Sequence, residues 1–334
     1  MLPIIFGISG PKLSRDERAF FAEADPAGYI LFARNCVGRD QVRALTDELR
    51  ALSGRDDLPV LIDQEGGNVV RLKPPVWPTL PGPGLFDRLY RRAPMSAIEA
   101  MRWHGQAIAA MLREVGITVN CAPMLDLAQT GAHPVIAGRA LGSEPMQVAA
   151  LGRAMLDGLK EGGVAGVVKH MPGQGRATTD SHVELPVIVA SAEELDDHMR
   201  PFRSLAWAPI AMTAHVVYKA WDPQRPATLS PTVIADVIRA RIGFGGLLLS
   251  DDIEMGALAG DVSVRAAAAI EAGCDLVLHC SGALAEMEAA SARLDPITPG
   301  ARERLDRAVG WAKGGQGLSF EDAAARRDAL LAYA

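Results

Sequence analysis

Short apolar runs recur along the chain, and each is followed by polar residues, a loop and an amphipathic helical pattern. The runs are continuous rather than alternating, which is typical of parallel strands that are covered on both faces. They occupy residues 4–6, 29–32, 60–62, 119–125, 164–168, 210–212, 247–249 and 276–278. The pattern therefore predicts eight buried strands that are separated by helices.

Start and stop signals mark the helices between these runs. The Ser-x-x-Glu spacing of a capping box, in which serine and glutamate each satisfy a free backbone N–H, begins at Ser14, Ser96 and Ser191. Ser230 precedes a proline at the first helical position, and Gly54 ends an apolar stripe of helical spacing over residues 42–52. These signals predict where five of the helices begin or end.

Eight strands that alternate with helices predict the α/β class and a (β/α)8 TIM barrel in a single domain. A doubly wound sheet commonly carries a GxGxxG turn after its first strand, and none follows here. The Pro- and Gly-rich residues 73–84 lie between a strand and its helix, so we interpret them as a loop rather than a domain boundary. We expect a catalytic barrel over residues 1–310 and a helical extension over residues 311–334, packed on the barrel.

Composition and charge narrow the possible partners. The net charge of −6 comes without a basic block, which argues against nucleic acid and anionic membranes. No run of about 18 apolar residues is present, so no transmembrane helix is expected. Pro3 and Gly7 interrupt the first apolar run, which we interpret as a strand rather than a signal peptide, so a cytoplasmic location is expected. The absence of CxxC pairs predicts reduced thiols at Cys36, Cys121, Cys274 and Cys280.

Ionisable residues follow most of the later runs, where the active site of such a barrel lies. Partly desolvated charges are costly unless they serve a site or pair with each other. GxSxG, P-loop and HExxH motifs are absent. The chemistries that fit these residues best are glycoside hydrolysis by a carboxylate nucleophile and metal-assisted hydrolysis. The residues at this rim are Asp63, Glu65, Asp126, Lys169, His170, Asp180, His182, His215, Asp251, Asp252 and His279.

Ordered motifs on the chain resemble a known family. IDQEGG at residues 62–67, KHMPG at 169–173, DSH at 180–182 and SDDIEM at 250–255 look like signatures of glycoside hydrolase family 3. They resemble in particular its single-domain bacterial β-N-acetylglucosaminidase branch, as do NCAPMLDL, GRA and MTAHV at 120–127, 138–140 and 212–216. The resemblance implies a soluble barrel enzyme that acts on carbohydrate and needs no cofactor or metal.

The resemblance also implies catalytic roles. Asp251 matches the nucleophile, whose carboxylate attacks the anomeric carbon and leaves as an ester, with net retention. His182 matches an acid–base group, and Asp180 would orient its ring. The simpler alternatives are a helix-capping or ion-paired aspartate and an ordinary loop histidine. Strand alternation predicts that only one of Asp251 and Asp252 faces the centre. We also expect that His182 swings into place only when sugar binds.

Five further residues match the family's sugar-binding positions, namely Asp63, Arg71, Arg139, Lys169 and His170. Carboxylates accept from sugar hydroxyls, and basic side chains donate to them. An ion pair holding the rim together is the alternative for the two arginines. Asp126, Glu65 and His215 are equally open to structural or substrate-binding roles, and a structural role is preferred for His279, His198, His104 and His133.

Three residues depart from the family's usual pattern. Met171 and Gln174 stand where an aromatic residue and a histidine are common, and Asn68 replaces a basic residue. The resemblance still implies a retaining exo-β-N-acetylglucosaminidase that releases terminal GlcNAc from GlcNAc-anhydro-muropeptides in peptidoglycan recycling. Alternatives are a β-glucosidase, a GlcNAc phosphorylase, a metallohydrolase using His170, Asp180, His182 and Asp251, and an inactive sugar-binding barrel. Protein partners and oligomeric state stay open.

Overall fold

Eight parallel strands close into a barrel in the computed structural model, which describes residues 1–334. The ring order is β1-β2-β3-β4-β5-β7-β9-β10, and β6 and β8 form a separate two-stranded sheet. The predicted TIM barrel is therefore confirmed, whereas the small sheet was not predicted. The strands are β1 Leu2–Gly7, β2 Pro26–Leu31, β3 Val60–Ile62, β4 Val119–Asn120, β5 Ala165–Met171, β6 Val187–Ile188, β7 Ile210–Thr213, β8 Val217–Tyr218, β9 Leu247–Asp252 and β10 Leu276–His279.

Helices surround this barrel and connect its strands. A π-helical segment, Val233–Arg241, follows β8, and short 3₁₀ turns cover Ala33–Asn35 and Ala227–Leu229. No helix combines the length and the apolar character that crossing a bilayer requires. The helices are α1 Arg15–Ala24, α2 Arg39–Ser53, α3 Pro83–Arg92, α4 Pro94–Glu114, α5 Pro134–Ala137, α6 Pro145–Glu161, α7 Asp196–Ser204, α8 Val262–Ala272, α9 Leu284–Ser291, α10 Pro299–Gly310 and α11 Phe320–Leu331.

Most of the helix signals are confirmed. Ser14 makes the reciprocal capping bonds with Glu17, and Ser230 Oγ accepts the Val233 N–H at 3.1 Å. The box at Ser191 also forms, although regular helix begins only at Asp196. The Ser96 prediction is wrong: α4 begins at Pro94, so Ser96 lies inside its first turn and caps nothing. A proline two residues upstream outweighs the capping pattern because it suits the first helical position.

Two layers of apolar side chains build the core. Alternate strand residues point into the barrel, as Leu247 and Leu249 do, or outward against the helices, as Leu248 does. Asp251 continues the inward series of β9, and Lys169 continues that of β5 after Val167. Strand alternation thus carries these two charged side chains to the top of the barrel interior.

The register slips by one residue near the C-terminal ends of β5 and β9. Leu276 pairs with Leu249 and Leu278 with Asp252, so three residues of β9 span two of β10. Between β5 and β7 the same happens from Val168 to Met171. An extra residue of this kind is a β-bulge, which re-aims the side chains beside it. The bulges lie at the strand ends that carry the rim residues.

Candidate active site

A cavity of about 370 Å³ opens at the C-terminal ends of the strands. A smaller cavity of about 20 Å³ adjoins it. The two share Val135, Arg139, His170, His182 and Asp251. All eight residues that the sequence assigned to catalysis or sugar binding border these two spaces. They are Asp63, Arg71, Arg139, Lys169, His170, His182 and Asp251 in the larger cavity, with Asp180 in the smaller.

A chain of ion pairs forms one wall of the larger cavity. Lys169 Nζ lies 2.9 Å from Asp63 Oδ1 and 2.7 Å from Glu65 Oε1, and Arg139 binds both Glu65 oxygens at 2.7 and 3.0 Å. Arg71 approaches Asp63 at 3.3 Å. Burial opposes the charge of Glu65, but Lys169 and Arg139 outweigh it and hold the pKa of Glu65 well below its usual value. Both arginines are therefore ion-paired while still bordering the cavity.

Asp251 presents an ionised carboxylate to the same space. Its side chain is 18% exposed, Oδ1 accepts the Asp252 N–H at 2.9 Å, and Oδ2 lies 3.8 Å from His170 Nε2. Burial alone would raise the pKa of Asp251, but the imidazoles of His170 and His215 and the Asp252 N–H together lower it. A carboxylate with a lowered pKa is ionised at neutral pH, as a nucleophile must be.

His182 and Asp180 form a hydrogen-bonded dyad. Asp180 Oδ1 lies 2.7 Å from His182 Nδ1 and also accepts the His182 backbone N–H at 3.0 Å. Burial alone would raise the pKa of Asp180, but the two hydrogen bonds from His182 outweigh burial, and the pKa lies below its usual value. Gly256 N–H donates to His182 O at 3.1 Å, which ties the loop to the turn after β9. His182 borders the cavity in this structure, and its entry with sugar stays a prediction.

Asp252 also borders the cavity, so the expectation that only one of the paired aspartates faces inward is wrong. The β-bulge of β9 is the reason, because it breaks the alternation just where the two residues lie. Burial, with Glu254 and Asp251 adding like charge, raises the pKa of Asp252 to about 7. Asp252 is thus more easily protonated than Asp251 and is the poorer nucleophile.

Two further residues that border the cavities had no site role assigned from the sequence. Phe32 lines the cavity, and the guanidinium groups of Arg34 and Arg71 stand 4.9 and 5.3 Å from its ring centre. Phe32 ends the second apolar run, and this position could have indicated that it lies at the rim of the barrel. Gln174 borders the smaller cavity and contacts His170, as described below. The loop departure at position 174 pointed to it, without saying what it touches.

The remaining rim residues and histidines have different surroundings. His215 lies between Thr228 Oγ1 and the Asp252 carbonyl, at 2.7 and 2.8 Å. Burial lowers the pKa of His104 to about 3, so it is a neutral core side chain on α4. His198 and His279 are buried, but His133 borders the smaller cavity beside Asp180. The free thiols are Cys36, which is partly exposed, and the buried Cys121, Cys274 and Cys280.

The side chains proposed as metal ligands do not converge on a point. His170 and Asp251 face each other across 3.8 Å, and Asp180 and His182 form their own pair. No group of three or more His, Cys, Asp or Glu side chains has a geometry that could hold an ion. The arrangement suits proton transfer and carboxylate attack on a neutral polar substrate.

Known proteins resemble the chain over most of its length. The profile of the Glycosyl hydrolase family 3 N terminal domain matches residues 4–309. A β-hexosaminidase of Alkalilimnicola ehrlichii is 41% identical over 84% of this chain and 80% of its own, and one of Methylococcus capsulatus is 36% identical over 98% and 94%. The crystal structure of NagZ from Neisseria gonorrhoeae with N-trifluoroacetyl-D-glucosamine matches with a TM-score of 0.89 and 31% identity, covering 98% and 97%.

A (β/α)8 barrel with this rim and these relatives is a glycoside hydrolase. The chain belongs to glycosyl hydrolase family 3. Within the family its relatives make it an enzyme of the β-N-acetylhexosaminidase type.

Proposed function

We propose that the chain is a retaining exo-β-N-acetylglucosaminidase. The observation that carries the proposal is that Asp251, with a lowered pKa, and His182, paired to Asp180, border one cavity. A nucleophile and an acid–base group at the same sugar are what a two-step displacement requires. The ion-paired wall of Lys169 and its partners supplies fixed donors and acceptors for hydroxyl groups.

In the first step an oxygen of Asp251 attacks the anomeric carbon, and the bond from that carbon to the glycosidic oxygen breaks. His182 gives its Nε2 proton to the leaving oxygen, while Asp180 stabilises the ring through Nδ1. In the second step water attacks the anomeric carbon and passes a proton to His182, and the ester bond to Asp251 breaks. The enzyme regains its starting protonation state, and the β configuration is retained.

Cavity size and wall chemistry support action on one terminal sugar. A space of about 370 Å³ lies in the range of small-molecule sites, and it is closed on one side by the Asp63, Arg71 and Lys169 ion pairs. We propose terminal β-linked GlcNAc as the substrate residue, since the similar NagZ structure contains N-trifluoroacetyl-D-glucosamine. Muropeptide fragments in the cytoplasm, during peptidoglycan recycling, are the source that the family resemblance implies.

The decisive experiment replaces the nucleophile. Asp251→Asn should lower kcat for 4-nitrophenyl β-GlcNAc by at least about 10⁴-fold, because no carboxylate remains to form the ester. A 5-fluoro GlcNAc-type reagent should label the wild-type peptide that contains Asp251, as located by mass spectrometry. Asp261→Asn, which changes an exposed aspartate at the start of α8, is the matched control and should keep full activity. Full turnover by Asp251→Asn would refute the assignment.

Product analysis separates the related activities. A phosphorylase would form GlcNAc-1-phosphate when inorganic phosphate is present, since a histidine acid–base does not repel the incoming anion as a carboxylate would. A β-glucosidase would hydrolyse 4-nitrophenyl β-glucoside at least as well as the GlcNAc compound. We expect GlcNAc as the product with or without phosphate, a preference for the GlcNAc compound, and activity that EDTA does not change.

A further inference from the structure

Gln174 contacts both members of the His170–Asp126 pair, and the mechanism above does not use it. It is 5% exposed, and its backbone N–H donates to Asp126 Oδ1 at 2.7 Å. The nearer atom of its side-chain amide, placed as Nε2, lies 2.8 Å from His170 Nδ1. Asp126 Oδ2 lies 2.7 Å from the same ring nitrogen, so two groups approach one atom.

Counting donors and acceptors assigns these atoms. Asp126 is fully buried and accepts the backbone N–H groups of Gln174 and His170, at 2.7 and 3.3 Å, which marks it as an ionised acceptor. The proton between Asp126 and the ring therefore lies on His170 Nδ1. An N–H cannot accept from the Gln174 Nε2, so the amide must be turned by 180° to present its oxygen to Nδ1–H. The exchange is allowed because amide O and N are assigned from the hydrogen-bond network.

We propose that Gln174 is a positioning residue that acts through His170. Its amide oxygen and the Asp126 carboxylate share the Nδ1–H, which fixes the ring plane and directs Nε2 toward Asp251, 3.8 Å away. The inference rests on the proposed function, in which Asp251 is the nucleophile. Under this proposal Gln174, which departs from the family's usual pattern, helps to orient the ring of His170 beside Asp251.

The amide matters because it does not titrate. The ionisable groups around the His170 ring are Asp126 from the loop after β4, Lys169 beside it on β5, His215 after β7 and Asp251 on β9. His182 lies across the smaller cavity. An imidazole or a carboxylate at position 174 would add a further charge to this set, whereas the amide keeps the second support of His170 the same at every pH.

Two variants test the acceptor role with 4-nitrophenyl β-GlcNAc. Gln174→Met keeps the length but offers no oxygen, so KM should rise about fivefold, the worth of one ordinary hydrogen bond, with a smaller change in kcat. Gln174→His can accept only while neutral. It should match the wild type on the alkaline side and lose kcat/KM as the pH falls through ~6.5, an ionisation that the wild type lacks at this position.

A matched control removes a similar contact elsewhere. Gln129 Nε2 lies 3.1 Å from Nε2 of His198, which does not border either cavity. Gln129→Met should leave KM and the pH profile unchanged. The proposal is overturned if Gln174→Met keeps the wild-type KM, or if Gln174→His keeps the wild-type pH profile. It is also overturned if Gln174→His gains activity in acid, since that would make Gln174 a donor.

A spectroscopic readout separates this inference from the proposed function. The ¹⁵N shifts of His170 report which ring nitrogen carries hydrogen, and they need no turnover. The wild type should show a protonated Nδ1, and Gln174→Met should show a mixed or mobile ring. If the wild type hydrolyses no β-GlcNAc substrate, the proposed function fails, and these shifts still decide the role of Gln174. An unprotonated Nδ1 in the wild type would refute it.

Discussion

Asp251 and Asp252 are chemically identical side chains in two different environments. His170, His215 and a backbone N–H favour the charge of Asp251, whereas burial and the like charges of Glu254 and Asp251 oppose the charge of Asp252. One residue of displacement along β9 thus separates a carboxylate that is ionised at neutral pH from one whose pKa is about 7. Environment, rather than residue type, sets the difference in pKa between these two carboxyl groups.

The raised pKa of Asp252 predicts that the free energy of unfolding depends on pH. The unfolded carboxyl has a pKa of ~3.9, so the folded protein holds this proton more tightly. The stabilisation is complete below that pH and is lost as the pH rises through about 7. Asp252→Asn removes this dependence, so its free energy of unfolding relative to the wild type should increase by roughly 4 kcal/mol from pH ~4 to pH ~8. Urea unfolding at both pH values measures this, and a constant difference would contradict it.

If His182 is the acid, the effect of replacing it should depend on the leaving group. A 4-nitrophenolate leaves without help, whereas a sugar alkoxide needs a proton. His182→Ala should therefore lower the rate of the glycosylation step by roughly 10²- to 10⁴-fold for a sugar or alkyl aglycone, and much less for 4-nitrophenol. Pre-steady-state release of each leaving group measures the step. Equal losses with both aglycones would argue against a role of His182 as the acid.

At the scale of elements, the two bulged strand ends build the site. β5 brings Lys169 inward by regular alternation, and the bulge at its end brings the neighbouring His170 to the same cavity. β9 does the same for Asp251 and Asp252. Regular strands would give the barrel only every second side chain, so a bulge doubles the number of functional groups that one strand supplies.

The capping box of α1 allows a paired stability test. Ser14 Oγ accepts the Glu17 N–H, and the Glu17 side chain accepts the Ser14 N–H at 2.8 Å. Ser14→Ala should cost about 1 kcal/mol of the free energy of unfolding. Ser96→Ala has the same sequence pattern but caps nothing, and it should cost nothing because alanine is the better helix former. Denaturant midpoints of the two variants measure the difference, and similar losses would contradict this account.

At the scale of the whole molecule, α11 lies against α4 on the outside of the barrel. Ala323 is fully buried on the contacting side, Arg327 is 3% exposed, and its guanidinium lies 3.4 Å from His104 on α4. None of these residues borders the active-site cavities. We propose that residues 311–334 serve as a packed extension that stabilises the barrel without taking part in the reaction.

A pair of α11 variants tests this proposal. Ala323→Arg forces a charge into the α4 contact and should lower the free energy of unfolding by about 3 kcal/mol or more. Ala325→Arg, two residues away on the exposed face, should change it by less than about 0.5 kcal/mol. Thermal unfolding measures both effects, and kcat of each folded variant should equal that of the wild type. A loss of kcat in Ala323→Arg below its melting range would link the extension to the site.

Much of the fold and of the candidate site can be predicted from the sequence, because strands and helices follow from patterns of neighbouring residues. Continuous apolar runs predict the eight strands, and the polar residues after them predict the rim, since all parallel strands end at the same face. The family motifs supply the residues, and the structure brings all eight to one place. The minor sheet of β6 and β8 was not predicted, because two-residue strands are too short to show a periodic pattern.

The order of apolar runs along the chain is enough to predict the barrel, and the motifs that follow the runs supply its chemical groups. Tertiary structure decided which neighbour each group meets: that both paired aspartates face the cavity, that Glu65 bridges Lys169 and Arg139, and that Gln174 touches His170. The physical reason is that the hydrophobic pattern reports only which residues of a single strand or helix are buried. Bulges, ion pairs and hydrogen bonds depend on atoms that only folding brings within about 3 Å of each other.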